Sequence, residues 1–236
     1  MPVPALQEMR ERLIVALDVP DARAAQELVR KIGDAAVFYK VGLQLFTAEG
    51  PGIVVELARS GRKVFLDLKL HDIPNTVAHA VKLATGLGAS MLTVHASGGA
   101  EMLKAAVEAA RGQLPILAVT VLTSLNDQQL KEIGVAGPTT DQVLRLAALA
   151  QNAGCHGVVT SPQEVSRLRS SLGDKLAIVT PGIRPLGAGK DDQERIATPK
   201  EAIRAGASHL VVGRPITHAP DPTQAIEAIV AEMTGL

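Results

Sequence analysis

A chain of 236 residues with no tryptophan, one tyrosine and three phenylalanines has almost no aromatic surface to offer. That argues against a stacking platform for single-stranded nucleic acid, which reads bases on successive aromatic faces. With only Phe38, Tyr39, Phe46 and Phe65 available, the core must be built from Ala, Val, Leu and Ile, a composition that suits packed parallel strands and helices. A single cysteine, Cys155, excludes an intrachain disulfide and suits a reducing compartment. Excess charge is missing as well: 24 Lys and Arg balance 24 Asp and Glu. No broad attraction to nucleic acid or to an anionic membrane is expected from such a balance. No segment approaches the ~20 apolar residues of a membrane helix. The opening MPVPALQEMRER carries acidic residues and lacks the apolar stretch of a signal peptide. The absences leave a soluble, cytoplasmic α/β protein with enough chain to bury a substantial core.

What is present is repetition. Short β-branched runs alternate with longer amphipathic ones: LIVALDV (13–19), AVFYKVGL (36–43), KVFLDLKL (63–70), MLTVHAS (91–97), ILAVTVLTS (116–124), GVVTS (157–161), LAIVTPG (176–182) and HLVVGRP (209–215). Each has strand length and is bounded by Gly, Pro, Asp or Ser. Helical patterns such as DARAAQELVRKIG, GAEMLKAAVEAARG and TTDQVLRLAALAQNAG lie between them, several ending in the glycine that commonly stops a helix. A last helix is expected over roughly 221–234. Eight units at about 30 residues each match the βα repeat, and the total approaches the ~250 residues of a (β/α)8 barrel. An open doubly wound sheet is the main rival, but it calls for a glycine-rich turn after strand 1, and LDVPDA has no glycine. The expectation is one TIM barrel, residues 1–236, without a second domain.

In such a barrel, function gathers at the C-terminal strand ends. Those ends carry Asp18, Lys40, Asp67 with Lys69, His95, Thr123 with Ser124, Ser161, then Gly182-Ile183-Arg184 and Gly213-Arg214. The run FLDLKLHDIPNT (65–76) is the most informative. Asp67 and Lys69 are two apart and share a strand face with Phe65, and Asp72 follows just before Pro74, a residue suited to start a helix. Burying unpaired charge costs several kcal/mol, so Lys40, Asp67 and Lys69 should neutralise one another at the barrel mouth. A lysine flanked by carboxylates is held in its charged form, which suits Lys69 to donate a proton rather than to form a Schiff base. A purely structural ion network remains an equal reading at this point.

The strand 7 and 8 ends, TPGIR and VVGRPIT, suit phosphate: Gly213 lets backbone N–H groups approach an anion, and Arg214 can hold two of its oxygens. The long connection from Ile183 to Ala197 contains GAGKDDQER, whose glycines and charges fit either a mobile cover or an inconsequential solvated loop. His71 and His95 lie near strand ends without a recognised metal spacing, so structural roles are expected for both.

Taken together, LDV, YKVG, DLKLHDIPNT, VTVLTS, TPGIR and VVGRPIT resemble, in order and over essentially the whole chain, the orotidine 5′-phosphate decarboxylases of bacterial type. The resemblance implies a (β/α)8 barrel that acts as a homodimer with shared active sites and uses no metal or organic cofactor. It also implies the conversion of orotidine 5′-phosphate to UMP, the last step of pyrimidine synthesis. By the same resemblance Lys69 protonates C6 of the pyrimidine, Asp67 lies beside the departing carboxylate, and Lys40 is bonded to the ribose and the charge network. Asp18 matches the ribose-hydroxyl contact. Asp72, Ile73 and Thr76 match a segment that crosses to the partner's site. Thr123 and Ser124 match the pyrimidine edge, and Arg184, Gln193, Gly213 and Arg214 match the phosphate set. Two other readings stand beside this one. D-x-K-x-x-D also occurs in metal-dependent sugar-phosphate decarboxylases and aldol-type enzymes of related barrels. A non-catalytic phosphate-binding barrel is the third reading, and the intact Asp67, Lys69 and Asp72 argue against it.

Overall fold

The computed structural model describes residues 3–185 and 195–235. Eight parallel strands close into a barrel in sequence order: β1 (Leu13–Ala16), β2 (Phe38–Gly42), β3 (Lys63–Leu70), β4 (Met91–His95), β5 (Ile116–Val119), β6 (Gly157–Val159), β7 (Ala177–Thr180) and β8 (His209–Val212). The expected (β/α)8 fold is borne out. Both faces of each strand are buried, which explains why the runs are continuously apolar rather than alternating. Ile14, Ala16, Phe38, Phe65, Met91, Leu117, Val119, Val159, Val179 and Val211 fill the barrel interior. The alternate residues, among them Leu13, Val15, Tyr39, Val64, Leu66 and Leu92, pack outward against the helices. Most strands are shorter than their apolar runs because the polar C-terminal residues, such as Asp18 and Thr123, leave the ladder to line the mouth of the barrel.

The helices are α1 (Val3–Arg12), α2 (Ala22–Ile32), α3 (Leu43–Glu49), α4 (Gly52–Arg59), α5 (Pro74–Thr85), α6 (Gly99–Ala110), α7 (Asp127–Glu132), α8 (Thr139–Asn152), α9 (Val165–Leu172), α10 (Pro199–Ala205), α11 (Arg214–Thr217) and α12 (Pro222–Thr234). Asp21 caps α2 by accepting the Ala24 N–H, and α5 starts at Pro74 as its sequence suggests. Three helices have no counterpart in the repeat pattern. Helix α7 is short, yet it carries a full capping box in which Asn126 and Gln129 bond each other's backbone N–H. Helix α3 precedes α4 on the β2–β3 crossover. Helix α1 leads to the closed end of the barrel, where the Arg12 guanidinium donates to the carbonyls of Ala207 (2.6 Å) and Ser208 (3.0 Å).

That closed end holds a titratable group whose charged form is disfavoured. The His209 ring meets Phe38 edge to face at 5.9 Å, and its Nδ1 is buried without a hydrogen-bond partner. Burial, aided by the positive charges of Arg12 and Lys63 and by His156, lowers its pKa from 6.5 to about 4. Above pH 6.5 the imidazole is neutral whether the chain is folded or not. Between 6.5 and about 4 only the unfolded chain binds the proton, so stability falls as pH drops through that window. The shift corresponds to roughly 3 kcal/mol at most, less where solvent reaches the half-buried ring. Unfolding in denaturant at pH 7 and pH 4.5 should therefore show a loss that His209→Leu reduces by about 1–3 kcal/mol; an equal loss in both proteins would remove His209 from the acid response.

Candidate active site

The C-terminal ends of the strands surround a cleft of about 590 Å³, a size suited to a nucleotide-sized ligand. Its floor is the upper layer of the barrel core: Ala16, Phe65, Val119, Val159 and Val211. A charged wall rises from β1, β2 and β3. Pairing places Lys40 beside Phe65 and Gly42 beside Asp67, so the barrel register itself brings the polar ends together. Lys40 Nζ lies 2.8 Å from Asp18 Oδ1 and 3.7 Å from Asp67 Oδ2, and Lys69 Nζ lies 2.7 Å from that same Asp67 oxygen. Four charges thus alternate in a chain, Asp18–Lys40–Asp67–Lys69, with Asp67 only 7% exposed. Neutralisation within the chain is what permits burial, since an isolated ion here would cost several kcal/mol.

Two features of this wall are not visible as spacing. Lys69 has a left-handed backbone, φ 51°, where strand pairing between β3 and β4 is irregular. A flat strand would bring Asp67 and Lys69 to one face by alternation; here the backbone kinks, and the ammonium folds back onto Asp67. Gly42 supplies room on the other side. A β-carbon there would sit 2.7 Å from Lys40 Nζ and 3.5 Å from Asp18 Oδ1, in the space the lysine head occupies. Thr93, wholly buried on β4, completes the wall by donating to Asp67 Oδ1 at 3.0 Å. Nearby, the His71 and His95 rings face each other at 5.5 Å. Burial lowers the His95 pKa, with the His71 and Lys69 charges acting in the same direction and Asp67 opposing them.

The remaining wall comes from β5, β7 and β8. Thr123 and Ser124 line it, as do Gly182, Arg184, Gly213 and Arg214. Arg184 is largely buried and donates to the Ile183 carbonyl. Helix α11 begins at Arg214, with Gly213 as its N-cap. A bridge between Ile183 and Ala197 pins the two ends of the long connection. Gln193 lies outside the described residues. Asp72, Ile73 and Thr76 are exposed beside the cleft and are not among its lining residues, with Ile73 66% exposed. Gln44, Thr217 and His218 also line the cleft, although no strand-end position or motif marks them. Cys155 is buried away from it, and burial pushes its thiol up to about 12. Among the described residues, no three His, Cys, Asp or Glu side chains are grouped to hold a metal ion.

Behind the β5 loop lies a second buried ion pair. Arg195 Nη1 meets Glu164 Oε1 at 2.7 Å, and Nη2 donates to the Leu122 carbonyl at 2.8 Å. One guanidinium therefore ties together the loops that follow β5, β6 and β7.

Known proteins share this arrangement of sequence and fold. Residues 11–229 match the family described as orotidine 5′-phosphate decarboxylase / HUMPS. An orotidine 5′-phosphate decarboxylase of Anaeromyxobacter sp. (strain K) is 54% identical over 221 residues, covering 94% of this chain and 97% of the relative. One from Rhodopseudomonas palustris (strain BisB5) is 55% identical over 226 residues and covers 95% of each chain. Among solved structures, the orotidine 5′-phosphate decarboxylase of Lactobacillus acidophilus is 43% identical and superimposes with a TM-score of 0.85, over 94% of this chain and 99% of that one. That of Pyrococcus horikoshii OT3 is 28% identical with a TM-score of 0.78, over 95% and 100%.

The Arg195–Glu164 pair allows a direct check of how much the loop cluster relies on buried charge. Glu164→Ala leaves the guanidinium without its carboxylate and should lower unfolding free energy by about 3 kcal/mol, whereas Glu164→Gln should cost less. Denaturant unfolding measures both, and a loss under about 1 kcal/mol for the alanine variant would mean that the pair behaves as a solvent-screened contact.

Proposed function

The chain belongs to the orotidine 5′-phosphate decarboxylase family, and from that premise we propose how its residues convert orotidine 5′-phosphate to UMP. It is a carboxy-lyase of pyrimidine synthesis. The reaction breaks the bond between C6 and its carboxylate; carbon dioxide leaves and the electron pair stays on C6. That carbon is sp² and has no adjacent carbonyl to accept the charge, so the carbanion needs stabilisation from outside. A fixed ammonium beside C6 interacts more strongly with the developing anion than with the substrate, which is the kind of interaction that raises rate. Lys69 fills this role: its ammonium stabilises the charge as it forms, then transfers a proton to C6 and is reprotonated from solvent. The alternating Asp18–Lys40–Asp67–Lys69 chain is the observation that carries this reading.

Asp67 holds Lys69 and lies where the substrate carboxylate departs. Lys40 and Asp18 reach the ribose hydroxyls. Thr123 and Ser124 contact the pyrimidine edge, while Arg184, Gln193, Gly213 and Arg214 hold the phosphate. The apolar floor accepts the flat base. Binding energy from the phosphate, far from C6, positions the base, so its loss damages kcat as well as KM. We take the working unit to be a homodimer in which Asp72, Ile73 and Thr76 serve the partner's site; their exposure beside the cleft, outside its lining, supports this. The whole chain acts as one barrel domain, needs no metal or organic cofactor, and works in the cytoplasm, in keeping with its one free thiol.

Loss of substrate absorbance on decarboxylation tests these roles. Lys69→Ala should fold normally and lose turnover by more than about a thousandfold, and wild-type activity should persist in EDTA. Arg214→Ala should weaken UMP binding about tenfold or more. Near-normal turnover by Lys69→Ala would sink the proton-donor role, unchanged UMP affinity would remove Arg214 from the phosphate site, and EDTA sensitivity would favour metal-assisted chemistry.

A further inference from the structure

We infer that the Thr93 hydroxyl is the positioning group that fixes both ends of the catalytic lysine, its backbone and, through Asp67, its ammonium. The inference rests on the decarboxylase reading for what Lys69 does, and on separate observations for how Lys69 is held.

Strand pairing brings Leu66 opposite Leu92 and Leu70 opposite Val94, so β3 spends four residues where β4 spends two. The excess is absorbed at Lys69, which adopts φ 51°. A side chain with a β-carbon is disfavoured there, and such a conformation persists only where its surroundings over-determine it. The kink also takes the Lys69 N–H out of the regular ladder. Its partner is the Thr93 side chain, at 2.8 Å. A hydroxyl has a single proton. Accepting from Lys69 with its oxygen, Thr93 directs that proton to Asp67 Oδ1, 3.0 Å away. Asp67 Oδ1 is thereby taken by a neutral donor, and Oδ2 is left to Lys69 Nζ at 2.7 Å and Lys40 Nζ at 3.7 Å.

The contacts close a triangle: amide to hydroxyl, hydroxyl to carboxylate, carboxylate to ammonium. Thr93 has no solvent exposure, so water has no access to replace the hydroxyl if it is removed. Valine matches threonine in shape and keeps the β-branch that favours a strand, but it can neither accept the amide nor orient the carboxylate. Thr93 touches no reacting atom; it acts through the two residues that do.

The test compares Thr93→Val with Thr93→Ser by steady-state decarboxylation, UMP binding by calorimetry, and hydrogen exchange at the Lys69 amide. Wild-type turnover is measured first, because its absence would overturn the decarboxylase reading and leave the hydrogen-bond triangle to be judged by exchange alone. Thr93→Val should lower kcat about 10- to 100-fold, change the UMP Kd less than about threefold because the phosphate grip is remote, and lose protection of the Lys69 amide. Thr93→Ser, which keeps the hydroxyl, should stay within about threefold of wild type in kcat. A residue that merely fills space would lower Tm and leave kcat unchanged. Wild-type kcat in Thr93→Val, or a loss in Thr93→Ser as large as in Thr93→Val, overturns the inference. Should Thr93→Val fail to fold, Thr93→Cys, whose thiol is a weak donor and acceptor, takes its place under the same two criteria.

Discussion

Asp67, itself buried, shares one carboxylate oxygen between two ammonium groups at the barrel mouth, and the rest of the site is arranged around that sharing. Without Asp67, Lys40 and Lys69 would be like charges across a small gap in a weakly screened environment, and neither could be kept in place. Removing one partner from a fully buried pair costs about 3–5 kcal/mol and less where solvent reaches the ions, as it does at Asp18 and Lys69, whereas a well-packed apolar replacement of the whole network would often be neutral or better. Stability therefore gives no reason for the network to exist. In the proposed mechanism it holds an ammonium where a carbanion forms, and the local geometry supports it: Gly42 leaves space for the Lys40 head, Thr93 occupies the second oxygen of Asp67, and Lys69 accepts a left-handed backbone costing about 1–2 kcal/mol.

The barrel makes such local costs tolerable. Its interior layers and its outer shell are both apolar, and the ladder of eight strands between them is closed. Closure also sets distances. The charged wall on β1–β3 and the Gly-Ile-Arg and Gly-Arg ends of β7 and β8 face one cleft over an apolar floor. A ligand with an anion at one end and a reacting carbon at the other can span that floor, and distant binding energy can then act on the reacting end. Arg195 adds a tie between the loops on the far side of the cleft, anchored on Glu164 and on the Leu122 carbonyl.

Much of this could be read from the sequence because it is encoded as period and position. Eight apolar runs of strand length, separated by helical patterns, specify the barrel, and polar residues recurring at one end of those runs mark its mouth. Asp67, Lys69 and Lys40 stood out because charge at the end of a buried strand is costly. Thr93 did not: a threonine inside a strand is an ordinary β-former, and only the three-dimensional path of Lys69 gives its hydroxyl a task. Glu164 and Arg195 are 31 residues apart and carry no local pattern that pairs them. Helix α7 was within reach, since Asn126 and Gln129 have capping-box spacing, but its one apolar contact, Leu130, is too little for a periodic signal. The β3 kink was hidden for another reason. Simple alternation predicts the same neighbours for Asp67 and Lys69 as the kinked backbone produces, so spacing alone could not distinguish the two.

The proposed mechanism depends on placement: Lys69, held by Asp67, would face the carbon that loses the carboxylate while the phosphate would rest on the ends of β7 and β8. A crystal structure of the protein with UMP bound measures this most directly. C6 of the uracil is expected within about 3–3.5 Å of Lys69 Nζ, with Asp67 still bonded to that nitrogen and the phosphate against Gly213 and Arg214. A uracil with C6 turned away from Lys69, or a phosphate seated on the β1–β3 wall, would contradict it.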